Sequence, residues 1–243
     1  FPAAAQFSAQ ITPPRFEEQA RPGAVFRDVI EVYNTGNLPL RMKVGTADWT
    51  LDAQGNTAFE KSLAEDSCRP WTAIEAPQIE VPARGKKRFR FEVRVPADAP
   101  DGQCRFALLF EGEPVRVPNM AMPVAGRIGI IVYLDIGDGA ARLALEGSAV
   151  REQDGQKLPV LIVRNDGNAH GRVQGFLDAT GADGKRWTLT PMGHPILPGA
   201  RREIALVPVL PEGETAKLVY PLQVRGRSEW KGRPFEIETQ ASE

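Results

Sequence analysis

Val32-Tyr33-Asn34-Thr35-Gly36-Asn37 recurs as Val163-Arg164-Asn165-Asp166-Gly167-Asn168. In each copy a β-rich run enters an Asn-x-Gly-Asn turn, and Asn and Gly are the residues that tolerate the positive φ such a turn is expected to use. A proline-containing edge follows in both copies, Val81-Pro82-Ala83-Arg84-Gly85-Lys86 and Leu197-Pro198-Gly199-Ala200-Arg201-Arg202. Alternating strands come next, Phe89-Arg90-Phe91-Glu92-Val93 and Glu203-Ile204-Ala205-Leu206-Val207. The economical reading is two diverged copies of one β-domain.

The rest of the chain fits that reading. Its 243 residues accommodate two domains of ordinary size. With 23 Gly and 21 Pro, turns are frequent and helices few. Segments 7–16, 25–33, 40–51, 89–95, 104–111 and 120–136 read as strands of the first copy, the opening one kinked by Pro13-Pro14. Seven short strands, near 142–146, 159–165, 172–178, 186–190, 202–208, 216–225 and 234–238, make up the second. That count and spacing is an immunoglobulin-like signature. The expectation is an all-β chain of two immunoglobulin-like β-sandwich domains in tandem, 1–136 and 137–243, hinged at Gly137-Asp138-Gly139. Trp49, Trp71, Trp187 and Trp230 are expected as core or sheet-edge aromatics.

Little supports catalysis. The two histidines, His170 and His194, lie in different turns, and no nucleophile elbow, phosphate loop or His-x-x-x-His pair occurs. Asp135 and Asp138 lack the spacing of a calcium loop. The reading is therefore a non-enzyme without cofactor or metal. A formal net charge of -1 gives no pull toward nucleic acid or an anionic membrane. The apolar run 128–136 contains Gly129 and Asp135 and is too short to span a bilayer, so the chain is not membrane-inserted. Cys68 and Cys104 are 36 positions apart, and a disulfide between them would contribute about 4 kcal/mol on the chain-entropy estimate. Two free thiols is the alternative. The small-residue stretch Phe1-Pro2-Ala3-Ala4-Ala5-Gln6 looks like the surroundings of a signal-peptide cleavage site, as in an exported protein.

The segment 120–136 stands apart. Met120, Met122 and Val124 share a face, further on Ile128, Ile130 and Val132 share a face with Ile131 and Tyr133 on the other, and Arg127 is the one charge between Met120 and Leu134. It reads either as the buried last strand of the first domain or as an edge strand that recruits another chain by β-augmentation. Pro123 favours the edge.

With these segments in view the chain resembles the PapD-like periplasmic chaperones of pilus assembly. The resemblance covers most of the first domain and, more loosely, the second. It is carried by Pro14-Arg15-Phe16-Glu17, by Val32-Tyr33-Asn34-Thr35-Gly36-Asn37-Leu38-Pro39-Leu40, by Ala47-Asp48-Trp49-Thr50, by the stretch 77–91, and by Arg127-Ile128-Gly129-Ile130-Ile131-Val132-Tyr133. In that family two basic residues clamp the C-terminal carboxylate of a pilin subunit, and the last strand of domain one completes the subunit's fold. The resemblance implies a clamp of Arg15 and Arg127, and a donor strand using Met120, Met122 and Val124 with Ile128 and Ile130. It also implies a periplasmic location, fimbrial subunits and an outer-membrane usher as partners, and release without nucleotide. The chain departs from the family in Pro13-Pro14, in Pro123, in an Arg where Lys is commoner, and in its cysteines. The rival is a tandem Ig-like envelope protein that binds a surface polymer or structural partner. It predicts no free donor edge and a partner site on loops.

Overall fold

The computed structural model describes residues 8–52, 55–114, 125–153 and 155–243. Contacts divide the chain into two compact units, Phe1–Asp138 and Gly139–Glu243.

The first unit is built from β1 (Ala9–Thr12), β2 (Arg15–Ala20), β3 (Val25–Asn34), β4 (Leu40–Leu51), β5 (Thr57–Glu60), β6 (Thr72–Ile74), β7 (Gln78–Val81), β8 (Lys86–Arg94), β9 (Gly102–Gly112) and β10 (Arg127–Ile136). One sheet runs β1-β3-β8-β6. The other runs β2-β10-β9-β4-β5, with β7 also on β4. The opening strand is in fact two. Pro13 and Pro14 have no N–H to give to a ladder, and there the chain changes sheets, from β1 antiparallel to β3 to β2 parallel to β10. Period-2 alternation sends Ile30, Val32, Phe89, Phe91 and Val93 of one sheet against Val44, Phe106, Leu108, Phe110, Ile130, Val132 and Leu134 of the other. Each such side chain contributes about 1.5–3 kcal/mol on burial. Phe89 meets Phe110 edge to face, as Phe91 meets Phe16 and Phe106. Cys68 and Cys104 are disulfide-bonded within this core.

The second unit holds β11 (Leu143–Gln153), β12 (Gln156–Asn165), β13 (Leu177–Thr180), β14 (Arg186–Pro191), β15 (Arg201–Pro208), β16 (Leu222–Trp230) and β17 (Arg233–Ala241), ordered β11-β12-β15-β14-β13-β16-β17. The Ser148 hydroxyl reaches Thr239 Oγ1 and donates to Gln240 O, which ties the first strand to the last. Leu161, Val163, Leu177, Leu189, Ile204, Leu206, Leu222 and Val224 form its core. Trp49 and Trp230 are buried, while Trp71 and Trp187 pack from the flanks.

The repeated motif has a structural reason that differs from the expected one. Among the described residues neither copy of the turn uses positive φ. Each Asn is instead a buried hub. Asn165 Nδ2 donates to Ala169 O and Ile196 O, both at 2.8 Å, while its Oδ1 accepts from Gly167 N and Arg142 N. Asn34 does the same with Leu38 O, Val81 O and Pro82 O, and accepts from Gly36 N and Ser8 Oγ. The glycines answer to close approach. A Cβ on Gly36 would fall 2.5 Å from Ser8 Oγ, and one on Gly167 would fall 2.2 Å from Ala140 O. The proline-containing edges dock on the same turns, since Asn34 N donates to Gly85 O and Asn165 N to Ala200 O. The left-handed residue sits there, at Arg84 (φ 54) in one copy and Gly199 (φ 70) in the other.

Candidate functional site: an open half-edge on β10

β10 has two different halves. From Ile131 to Ile136 it is central, paired with β9 on one side and with β2 on the other. From Arg127 to Ile130 it pairs with β9, and among the described residues no strand lies on its second edge. The cause is the first strand: its ladder begins at Arg15↔Ile131 because Pro13-Pro14 takes the preceding residues to the other sheet.

The phase of the ladder decides what that edge offers. Gly112 N donates to Gly126 O, and Gly137 N donates to Ala20 O. In an antiparallel ladder the bonding direction alternates residue by residue. Even-numbered residues of β10 therefore bond to β9, and odd-numbered ones face the β2 side. Arg127 and Gly129 present their N–H and C=O groups along the open stretch.

Arginines stand at both ends of it. Arg127 opens the stretch, and Arg15 closes it as the register partner of Ile131. Parity puts both side chains on the outer face, about 13 Å apart along the strand at 3.3 Å per residue. Each is half exposed (50% for Arg127, 51% for Arg15), and each is held by a carboxylate of its own unit. Arg127 pairs with Glu111 directly across the ladder at 2.6 Å, and Arg15 pairs with Glu17 at 2.7 Å. The Arg127–Glu111 pair is exposed on both sides and contributes about 0–1 kcal/mol, so Glu111 can be exchanged for an incoming carboxylate at little net cost, whereas Glu17 is only 19% exposed.

Two of the expected donor side chains are committed elsewhere. Ile130 is 2% exposed and belongs to the unit's own core, and Ile128 packs against that core. What this half of β10 offers sideways is backbone. Met120, Met122 and Val124 lie outside the described residues.

No family model matches the chain, and no curated protein matches it. Solved structures do. The YadV chaperone is 14% identical, with 96% of this chain and 99% of that one covered and a TM-score of 0.50. The class 5 fimbriae chaperone CfaA is 11% identical, with coverage of 96% and 99% and a TM-score of 0.50. The fold is that of the fimbrial chaperones.

The two histidines lie away from this edge, in the second unit. His170 is buried edge-on against Trp230, whose Nε1 donates to the His170 carbonyl at 3.0 Å. His194 is half-buried, and burial first, then Arg202 and Arg172, lowers its pKa below the usual histidine value. Among the described residues no group of three or more His, Cys, Asp or Glu could hold a metal ion, and no helix is long and apolar enough to cross a membrane. Sequence reasoning offered an edge strand as one of two readings of 120–136, but it missed which half of the strand is open, the carboxylates Glu17 and Glu111, and Phe59, whose ring lies against Gly129. The one sequence signal was Gly129, since glycine inside an apolar strand marks a close approach.

Proposed function

We propose that the protein is a non-enzymatic chaperone of fimbrial subunits, working in the periplasm and delivering them to an outer-membrane usher. The observation that carries this is the open half-edge of β10 with a guanidinium at each end. A partner strand laid along it gains main-chain hydrogen bonds at Arg127 and Gly129, each worth about 1 kcal/mol net. Both directions bring a terminal carboxylate to a guanidinium. A strand running parallel to β10 points its C-terminus at Arg15, in line with the start of β2, and an antiparallel one points it at Arg127. Either guanidinium can hold a terminal carboxylate through paired N–H donors. A subunit whose last strand is unpaired supplies both the missing edge and the carboxylate. Binding needs no nucleotide, because it exchanges hydrogen bonds and ion pairs of similar strength. The fimbrial-chaperone fold supports the same reading, with residues 1–136 as the subunit-binding domain and 137–243 as its companion.

The experiment is capture of a fimbrial subunit from periplasmic extract by the wild-type chain and by Arg15→Ala plus Arg127→Ala. The expected result is loss of the subunit in the double variant with the fold retained. Undiminished capture overturns the carboxylate clamp, and failure of the wild type to capture any subunit overturns the chaperone reading.

A further inference from the structure

We infer that Phe59 is a positioning residue for the open half of β10, clamped onto it by the disulfide-anchored strap in which it lies; its consequence for binding rests on the chaperone reading. Gly129 is on the outer face of the strand, and a Cβ there would fall 2.1 Å from Phe59 Cζ and 2.6 Å from Cε1. The ring thus occupies the space a side chain would take. The path of the chain makes this contact deliberate. β4 stops pairing with β9 after Ala47↔Ala107, and its far half continues with β5 through Trp49↔Phe59. For Phe59 to reach Gly129, two strands inward from β4, the β4–β5 hairpin must fold back across the sheet.

The strap is fastened beyond the ring. Arg69 donates to Lys61 O and Ser62 O and pairs with the buried Asp48 at 3.2 Å, and Ala64 N donates to the same carboxylate oxygen. Asp66 pairs with Arg105 of β9 at 2.5 Å, and Cys68 is bonded to Cys104 of β9. Among the described residues, 127–130 have one ladder where 131–136 have two. A strand with one neighbour frays more easily. The ring on Gly129 supplies packing where the second ladder is missing, and it holds the N–H and C=O of Arg127 and Gly129 in the extended geometry that an incoming strand requires. An edge ordered before the partner arrives binds more tightly, because less ordering is left to the binding step.

The test compares the full chain with Phe59→Ala, Gly129→Ala and the double variant by amide hydrogen exchange. Phe59→Ala is expected to speed exchange at Ile128 and Ile130 on the order of tenfold and to leave Val132 and Leu134 unchanged. Gly129→Ala is expected to do the same, because its methyl displaces the ring, and to add nothing once Phe59 is gone. A synthetic peptide of about eight residues, alternating valine and serine with a free carboxylate, should lose affinity by a similar factor in each variant. Unchanged exchange at Ile128 and Ile130 overturns the proposal. So does uniform acceleration through Leu134, additivity in the double variant, or faster exchange with peptide affinity retained. If the wild type binds no peptide, the chaperone reading has failed, and the exchange comparison still decides whether Phe59 holds the strand.

Discussion

The two copies of the turn are held by single asparagines, and a side chain with both donors and an acceptor committed in a buried site is hard to replace. Asn165→Ala strands the carbonyls of Ala169 and Ile196 and the amides of Gly167 and Arg142. The expected cost is about 2–4 kcal/mol by chemical denaturation. Asn165→Asp should do no better, because a carboxylate cannot donate to two carbonyls. A loss below about 0.5 kcal/mol for either would show the hub to be dispensable. Gly199 sits at φ 70 with open space around its Cβ position. Gly199→Ala therefore carries the backbone penalty alone, about 1–2 kcal/mol. At His194 the folded state disfavours the proton, since burial, Arg202 and Arg172 all lower its pKa. The unfolded chain binds that proton more readily, so stability should fall as pH drops below the ordinary histidine value of about 6.5. Melting scans from neutral to mildly acid pH should show this for the wild type, and His194→Gln should flatten the slope in that window.

β10 carries the proposed binding edge, and its two kinds of residue separate cleanly. Ile130 is core, so Ile130→Ala should cost about 2–5 kcal/mol in the stability of its unit. Arg15 is a half-exposed charge, so Arg15→Ala should change stability by under about 1 kcal/mol yet weaken capture of a carboxylate-ended strand. Equal effects of the two substitutions on stability would contradict this division. Much of the element pattern was legible in the chain, because alternation and breaker clusters are local: five of the seven expected strands of the second copy and residues 127–136 of the first copy's last strand follow from them, while the expected 172–178 and 216–225 only overlap the starts of β13 and β16. An edge strand was one of two readings the sequence left standing, and which half of it is open was not legible, because an edge is a property of what fails to pair. Pro13-Pro14 reads in the sequence as a departure from the family, and only the register Arg15↔Ile131 shows that it ends the β2 ladder and, among the described residues, leaves Arg127 and Gly129 without a strand partner on that side. Phe59 was hidden for a related reason, since nothing near it in sequence points to Gly129.

Each unit carries its own core, and the disulfide belongs to one of them. Cys68→Ser plus Cys104→Ser should lower the stability of the first unit by about 4 kcal/mol and leave the second unit's transition where it was in calorimetry. A shift in the second transition would contradict two independent cores. For the molecule as a whole, the repeat supplies the scaffold twice, and the proposed function places the working surface on the first copy alone. The most direct test of that claim is amide hydrogen exchange of the full chain with and without a bound fimbrial subunit. The amides of Arg127 and Gly129, which face the open edge in the free protein, should become protected in the complex, while Ile128 and Ile130 stay protected in both states. Protection that arises on another edge, with Arg127 and Gly129 still exchanging freely, would contradict it.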